Sequence, residues 1–541
     1  MKKIFHSLIA FIMFLTMILP AYVHAGYDDN TVNSSFDIIS KKEFLRSIIK
    51  IIYIDNTEVN IDKLSAEDIL YISENSNLIS KNLYNVNDLE KSISKREAEL
   101  IFIRATINDP IIFPRAENNG LNSNNINNNI SHLASLDLDN PTIRIIIDMY
   151  NKINQPIHEL NGFYAISSYS QVNFIPEFNS VSFGWSELKY NNNNSRNTVE
   201  LTMDEGDFSL PNGFSEPTKL AFENNVSTNL MVYASQLTKL DNNRGIIEYV
   251  ITDPNVKKQV IEQIANKVNL TVKDSNAVSF NGVVIDFENI KDERLSSYYN
   301  DFLKELKKKL NESNKKLYVA VHPRKYYKGY DYKTIGEIAD KVILMAHDYY
   351  ARDVQQLNVS DPYNNFSSIR TPLAPLDNIY DPTFDIYSAL EDITNEETGI
   401  KDKSKIVLQL SFDAVQWIKD LNNNSVIRTS PSYQQIMNRI NPSITEGQVT
   451  DSVEMHYDSI SSSPYLYYFN SQNNTENIIW YEDNRSILSK IHLAKLFNIN
   501  SFSIWRIGNI PDFPVNEKYP GNLNIWSTIL KQKPVENSST D

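Results

Sequence analysis

The sequence predicts an α/β fold: a (β/α)8 TIM barrel with a small insertion before its last helix, preceded by a small helical N-terminal domain. Between about residues 158 and 528, short apolar runs alternate with helical stretches, which is the pattern of parallel strands joined by crossover helices. Several runs are apolar at consecutive positions, as strands buried on both faces are. The eight runs are NGFYAISSYS (161–170), SVSFGWS (180–186), NLMVYAS (229–235), NGVVIDFE (281–288), KLYVAVHP (316–323), KVILMAHDYY (341–350), KIVLQLSF (405–412) and SFSIWRIG (501–508).

The alternative is an open, doubly wound sheet. A nucleotide-binding sheet of that kind carries a glycine-rich phosphate loop after its first strand, and no such loop follows the first apolar run. The stretches NVKKQVIEQIANKV, LSSYYNDFLKELKKKLNES and NRSILSKIHLAKLF are the clearest intervening helices. The barrel is therefore the preferred prediction.

Changes in composition along the chain predict its domain boundaries. An Asn-rich, low-complexity stretch reads as a linker, and a Tyr- and Ser-rich segment late in the barrel is too long for a plain loop. We predict a signal peptide at 1–25, a helical N-terminal domain at 27–116, a linker at 117–140, the barrel domain at 141–530 with an insertion at about 428–480, and a disordered tail at 531–541.

The first residues predict export. Two lysines precede a short apolar run, and the small-x-small pattern Val23-His24-Ala25 follows as a cleavage site. An uncleaved membrane anchor is the alternative, but the apolar run is short for a span. We therefore expect a secreted chain with no membrane contact after cleavage.

The charge and the cysteine content limit the partners. A formal net charge of −15 argues against a nucleic-acid partner, because polyphosphate repels such a surface. The chain has no cysteine, which fits export across a Gram-positive-type surface without disulfides. No metal or organic cofactor is implied, and we expect a monomer.

Two similar segments, IISKKEFLRSIIKII (38–52) and SISKREAELIFIRAT (92–106), mark the N-terminal domain. In each, a Ser precedes a Glu by three residues, Ser40 with Glu43 and Ser94 with Glu97, which is the spacing of a capping box at a helix start. The pair resembles degenerate S-layer homology modules, and this resemblance implies binding to a cell-wall polymer. Two unrelated amphipathic helices are the alternative.

Two acids close the run NGVVIDFE. Side chains alternate along a strand, so Val284, Asp286 and Glu288 share one face and the two apolar residues between them share the other. Both acids then point inward at the C-terminal mouth of a barrel, where barrel enzymes hold their chemistry. We expect Asp286 to stay ionised and Glu288 to hold a proton as general acid. An ion pair or a pair of metal ligands is the alternative, although no further ligand cluster is present.

Three segments together resemble glycoside hydrolase family 18. FNGVVIDFENI is similar to its catalytic Asp-x-x-Asp-x-Asp-x-Glu strand, VILMAHDYY to its Met-x-Tyr-Asp strand, and FSIWRIG to its last strand, which carries a Trp. RTPLAPLDNIY and WYEDNRSILSKIHLAKLFNINSFSIWRIG are similar to the branch that degrades spore cortex and other peptidoglycan.

The resemblance implies a retaining mechanism in which the N-acetyl group of the substrate attacks the anomeric carbon. Glu288 would protonate the leaving oxygen and then activate water. Asp286 would hold the acetamido N–H in the attacking pose. Trp505 would stack under the sugar, and Asp348 would bind sugar hydroxyls or orient the acetamido group.

The sequence departs from the family pattern on two strands. Asn281 and Val284 replace the first two aspartates, so the usual proton sharing between aspartates is missing, as it often is in the peptidoglycan-degrading branch. His347 replaces the Tyr that hydrogen-bonds the attacking carbonyl oxygen. A His N–H would do this from a similar position, or Tyr349 would reach in from the same face. A lone inward His is otherwise a satisfied core residue.

Other aromatic residues suggest a sugar groove, because aromatic faces stack on the C–H patches of pyranose rings. Trp185 lies near the exit of the second strand, Trp417 follows the seventh, and YLYYF occupies residues 465–469. Ordinary core packing is the alternative for each.

These observations favour a secreted glycosidase acting on a β-1,4-linked N-acetylglucosamine glycan, with peptidoglycan or spore cortex as the first choice. Chitin is the rival substrate. A non-catalytic glycan-binding or coat protein on the same barrel, favoured by Val284 and His347, is the second hypothesis, and a wall-anchored structural scaffold is the third.

Overall fold

The structure is a computed structural model, and it describes residues 36, 38–52, 60–107, 140–191, 198–202, 215–269, 280–349, 372–378, 383–440, 453–514 and 522–534. The predicted signal peptide, nearly all of the predicted linker and most of the predicted tail lie outside these residues. The chain divides into two compact units, Met1–Asn151 and Lys152–Asp541. Within the described residues, the structure has no helix that combines the length and apolar character needed to span a membrane.

The first unit is built from helices. They are α1 (Lys41–Ile52), α2 (Ala66–Asn75), α3 (Lys95–Thr106) and most of α4 (Pro141–Ile153). The two similar helices, α1 and α3, begin side by side, because the backbone N–H of Ile93 donates to the carbonyl of Ile39 at 2.9 Å. The division between the units falls within α4, later than the boundary predicted at residue 140.

The two predicted capping boxes differ in the structure. At the start of α3, the side chains of Ser94 and Glu97 each accept a hydrogen bond from the backbone N–H of the other, which is the complete box. At the start of α1, Ser40 Oγ accepts from the N–H of Glu43 at 3.2 Å. The Glu43 carboxylate accepts from the hydroxyl of Thr142 at 3.2 Å, and this contact ties the beginning of α4 to the first unit.

The second unit contains the predicted barrel. Its parallel strands lie in the order β1, β2, β4, β5, β6, β7, β8, β14, and β14 pairs with β1, so the sheet closes. All eight predicted runs therefore become barrel strands. Their bounds are β1 (Glu159–Tyr164), β2 (Ser180–Asn191), β4 (Ser227–Ser235), β5 (Gly282–Glu288), β6 (Lys316–Val321), β7 (Lys341–Leu344), β8 (Ile406–Ser411) and β14 (Ser501–Trp505), with β3 (Thr198–Thr202) added antiparallel to β2.

The barrel axis is filled by apolar side chains from most of its strands, as expected for a packed barrel rather than a pore. Its buried cluster is Phe163, Met231, Val284, Ala320, Ile343, Met345 and Val407, with Tyr233, Tyr318 and Trp505 packed against it. At the amino-terminal end, Lys341 Nζ lies 2.5 Å from a carboxylate oxygen of Glu159. These residues belong to β7 and β1, which are not neighbours, so the ion pair crosses the bottom of the barrel.

Close strand packing at the bottom explains a glycine. A Cβ added to Gly282 would lie 2.7 Å from the side-chain oxygen of Asn229 on β4 and 2.8 Å from the backbone oxygen of Lys316 on β6. These distances are shorter than real Cβ contacts, so β5 can only begin at this depth with a glycine.

Helices cover the outside of the barrel. The first group is α5 (Ser215–Glu223), α6 (Ile246–Thr252), α7 (Pro254–Val268) and α8 (Ser296–Asn311). The second is α9 (Tyr332–Ile338), α10 (Ile386–Ile393), α12 (Asn484–Leu496) and α13 (Ile525–Leu530), with α11 (Tyr433–Ile440) in the insertion. On α8, the ring of Phe302 is fully buried and stacks on Phe287 of β5 with centroids 5.4 Å apart. Phe287 therefore faces the helices, as the alternation along β5 predicts.

The insertion is a second, antiparallel sheet with strand order β10, β9, β13, β12, β11. The strands are β9 (Val415–Asp420), β10 (Ser425–Thr429), β11 (Glu454–Asp458), β12 (Ser463–Asn470) and β13 (Thr475–Trp480). The sheet begins at Val415, earlier than the predicted start near residue 428, because β9 follows β8 almost at once. Trp417 is 1% exposed in the apolar core of this sheet, so the core-packing alternative applies to Trp417 rather than a place in a sugar groove.

Candidate active site

The acid pair lies at the carboxyl end of β5. Val284 packs in the interior cluster and Phe287 packs outward against α8, so the alternation of the strand directs Asp286 and Glu288 toward the barrel axis. The strand end is held by Tyr330, whose hydroxyl donates to the carbonyl of Phe287 at 2.5 Å. This contact fixes the backbone between the two acids at the end of the strand.

Asp286 is the more enclosed of the two acids. It is 4% exposed, its Oδ1 is buried, and no described residue donates a hydrogen bond to that oxygen. Burial, and then the neighbouring charge of Glu288, raise the pKa of Asp286 well above its ordinary value. The direction of this shift runs against the expectation that Asp286 stays ionised while Glu288 holds the proton. Val284, the next inward residue on the same face of β5, is apolar and offers Asp286 no polar contact.

Glu288 lies nearer the solvent, with 27% of its side chain exposed. Its backbone oxygen accepts from the N–H of Gln236 at 3.0 Å, just beyond the end of β4. The next residue, Asn289, has a φ of +65°, a value that Asn tolerates better than most residues, and its side chain donates to Ser235 Oγ at 3.2 Å. These contacts turn the chain immediately after the acid and leave its carboxyl at the opening.

Trp505 is the last residue of β14 and packs against the interior cluster that contains Val284. Its ring meets Phe163 edge to face, with centroids 5.6 Å apart. The indole therefore packs on the same apolar cluster as β5, the strand that carries the acid pair. Its role as a sugar platform stays a prediction.

His347 and Asp348 follow β7. The Nδ1 of His347 lies 3.1 Å from a carboxylate oxygen of Asp348, and its Nε2 lies 2.7 Å from the side-chain oxygen of Gln409 on β8. Asp348 has a φ of +58°, the left-handed region that Asp adopts more readily than most residues. Both ring nitrogens of His347 are thus engaged by side chains, which favours the core-residue alternative over a free donor toward the substrate.

The structure directs the hydroxyl of Tyr349 away from the acids, and it does not describe the side chain of Trp185. The hydroxyl of Tyr349 donates to the backbone oxygen of Asp385 at 2.8 Å, so it is directed at the start of α10 rather than offered to a substrate carbonyl. Trp185 lies within β2, which continues to Asn191, next to the irregular pairing of β2 with β4. Its side chain is outside what the structure describes, so its place in a sugar groove stays a prediction.

Three site residues were missed by the sequence reasoning. Tyr233 on β4 pairs in register with Asp286, and burial followed by the charges of Glu288 and Asp286 raises its pKa to about 12. Gln409 holds His347, and His322, directly after β6, lies 4.0 Å from Glu288. Each of the three lies in a predicted strand run. A polar residue near the carboxyl end of such a run is the signal that would have found them.

An acid pair at the mouth of a (β/α)8 barrel, above an indole and an apolar floor, is the arrangement of a barrel glycosidase site. Residues 190–509, more than half of the chain, match the family described as glycosyl hydrolases family 18. The chain therefore belongs to this family.

Relatives with curated names agree with this assignment. The chain is 23% identical over 297 residues to a cortical fragment-lytic enzyme of Bacillus subtilis, a match that covers 54% of this chain and 59% of the relative. It is 22% identical over 315 residues to a cortical fragment-lytic enzyme of Bacillus anthracis, covering 56% and 62%. The chain thus spans about three fifths of the length of these relatives.

Among solved structures, a Group IV chitinase of Ostrinia furnacalis shares the fold. Its TM-score is 0.51 at 14% identity, and the match covers 69% of this chain and 99% of the chitinase. This likeness supports the barrel architecture.

Proposed function

We propose that the chain hydrolyses a β-1,4-linked glycan containing N-acetylglucosamine, with peptidoglycan or spore cortex as the favoured substrate over chitin. The observation that carries the proposal is the pair Asp286 and Glu288 over the floor that bears Trp505. The names of the curated relatives, cortical fragment-lytic enzymes, support the choice of substrate.

In this mechanism the pair works with one proton. Asp286 holds it before substrate arrives, because its site is the drier one. When the acetamido N–H of the sugar donates to Asp286, the ionised form of that acid becomes favourable, and the proton is available to Glu288. Glu288 then protonates the leaving oxygen while the acetamido oxygen attacks the anomeric carbon. In the second step water adds to that carbon and Glu288 takes its proton.

A second candidate is a glycan-binding protein without catalysis. It is favoured by His347, whose ring nitrogens both lie against side chains, and by Tyr349, whose hydroxyl is bonded to Asp385. Without either donor, the attacking oxygen of the acetamido group would be poorly held.

The test is release of reducing ends from purified peptidoglycan, spore cortex and chitin. Glu288→Gln should lower kcat by about 10²–10⁴, the usual contribution of a general acid. Glu262→Gln, on the half-exposed face of α7, is the matched control and should behave as the parent. Equal rates for Glu288→Gln and the parent would refute this site, and binding without cleavage by the parent would establish the second candidate.

We further propose that the protein is exported to the wall or spore surface and that its first unit attaches it to a wall polymer. In that unit a cleft of about 430 Å³ is lined by Lys42, Arg46 and Lys50, spaced one turn apart along α1, together with acidic and neutral side chains. Arg46→Ala in the full chain should reduce co-sedimentation with purified walls. Lys63→Ala, which is outside the cleft lining, should not. Unchanged sedimentation of Arg46→Ala would contradict this attachment site.

A further inference from the structure

His322 is a titratable residue at the mouth that the mechanism above does not use. It follows β6 directly, and its Nε2 lies 4.0 Å from a carboxylate oxygen of Glu288. Only 16% of its side chain is exposed. The pair is therefore half sheltered from solvent, where an opposite charge has a larger effect on a carboxyl than it has at an open surface.

The imidazole ring is held in this position by aromatic contacts. It stacks on Tyr327 with centroids 4.3 Å apart and an interplanar angle of 24°, and it packs against Tyr330 at 6.2 Å. Tyr330 also bonds the backbone of β5, and the hydroxyl of Tyr332 donates to the carbonyl of His322 at 2.7 Å. The same loop that fixes the imidazole thus fixes the strand that carries Glu288.

Several other charged or titratable groups surround the ring. Asp286 lies beyond Glu288, and Lys291 lies over the Tyr327 ring at 5.7 Å. Arg324, two residues along the loop, forms an ion pair with Asp392. Glu288 is the carboxylate that lies within ion-pair distance of the imidazole.

We propose that His322 and Glu288 share one proton, so that His322 is a positioning residue that keeps a proton available to the general acid. At 4.0 Å the two groups form an ion pair that is too long for a direct hydrogen bond, so the proton moves when the side chains approach each other. The transfer breaks the Nε2–H bond of the imidazolium and forms the O–H bond of Glu288, which leaves both groups neutral. Nothing is oxidised, and the reverse transfer restores the imidazolium when Glu288 takes a proton from water. The proposal rests on the proposed function and deepens it.

This arrangement differs from a chain of aspartates beneath the acid pair. Val284 occupies the inner position, so no proton can be stored below Asp286. The sharing partner instead directly follows the neighbouring strand β6, whose register with β5 is fixed up to Ile285 and Val319.

The first test measures the pair without requiring activity. The full chain with ¹³C-labelled histidine is titrated by NMR, alone and as Glu288→Gln. The midpoint of the His322 ring should lie lower in Glu288→Gln by about one pH unit or more, because the variant lacks the opposite charge. His456, which lies 3.1 Å from Glu454 in the insertion, is the internal reference and should titrate identically in both proteins. Identical His322 midpoints would overturn the proposal, even if the protein cleaved no glycan.

The second test is the pH profile of kcat/KM on whichever glycan is cleaved. In His322→Gln no imidazolium lies beside Glu288 to keep a proton near it at high pH, so the alkaline limb should move to lower pH by about one unit. His456→Gln is the matched control and should leave the profile unchanged. A His322→Gln profile that superimposes on the parent would overturn the proposal, whereas a purely structural role would scale the rate without moving the limb.

Discussion

Replacing Asp286 by Asn should stabilise the protein at neutral pH while abolishing activity. Asp286 is buried, its Oδ1 receives no hydrogen bond from a described residue, and its pKa is raised well above 3.8 by burial and by the charge of Glu288. A carboxyl with a raised native pKa binds more protons in the folded state than in the unfolded state. The free energy of unfolding therefore falls as pH rises from about 4 toward the native pKa. Each pH unit in that window costs the folded state about 1.4 kcal/mol.

Asn carries no charge, so the variant has no free-energy penalty for ionising a buried carboxyl. Asp286→Asn should therefore raise the melting temperature of the barrel near pH 7, and the gain should shrink toward zero near pH 4. The assay is thermal unfolding followed by circular dichroism at several pH values, with reducing-end release measured on the same samples.

Asp340 supplies a control of opposite sign. Burial alone would raise its pKa, but hydrogen bonds from the N–H of Leu317 and from Lys307 lower it overall. The stability that its charge contributes is present above the unfolded pKa and is lost as pH falls through the lowered native pKa. Asp340→Asn should therefore destabilise at pH 7, by about 1–3 kcal/mol. A loss of stability at pH 7 in Asp286→Asn, or a gain that does not depend on pH, would refute the reasoning.

Three further substitutions test the floor, the packing and the bottom of the barrel. Trp505→Ala should lower kcat/KM by about two- to twelvefold, since one aromatic contact contributes about 0.5–1.5 kcal/mol, and unchanged kinetics would remove the indole from the sugar site. Phe302→Ala should cost about 3–5 kcal/mol in thermal or denaturant unfolding, because it empties a fully buried ring position against Phe287. Lys341→Met should lower the melting temperature without changing kcat/KM, because its ion pair with Glu159 lies at the end of the barrel away from the acids, and a change in kinetics would contradict that placement.

The barrel was predictable because its signal is repeated. Eight apolar runs in strand order each carry their own periodicity, and all eight become parallel strands. The inward direction of Asp286 and Glu288 was predicted from the alternation of side chains along β5 alone. The insertion was placed too late because β9 resembles a continuation of β8, and its pairing with β10 and with the distant β13 shows that Val415 begins another sheet.

The protonation of the site could not be predicted in the same way. Which acid holds the proton depends on burial and on neighbours that other strands supply, and the sequence gives no measure of either. The contacts of Tyr349 and His322 could not be predicted for the same reason. The hydroxyl of Tyr349 bonds to Asp385, which is thirty-six residues later in the chain. The distance of His322 from Glu288 is set by the pairing of β5 with β6.

The ion pair between Lys341 and Glu159 lies below an axis filled with apolar side chains, so the barrel is closed at its amino-terminal end and open only at its carboxyl-terminal mouth. Under the proposed function, the sugar chain, the incoming water and the departing fragment would all pass through the carboxyl-terminal mouth. The fragment that leaves first would then have to clear this mouth before water reached the sugar that stays behind.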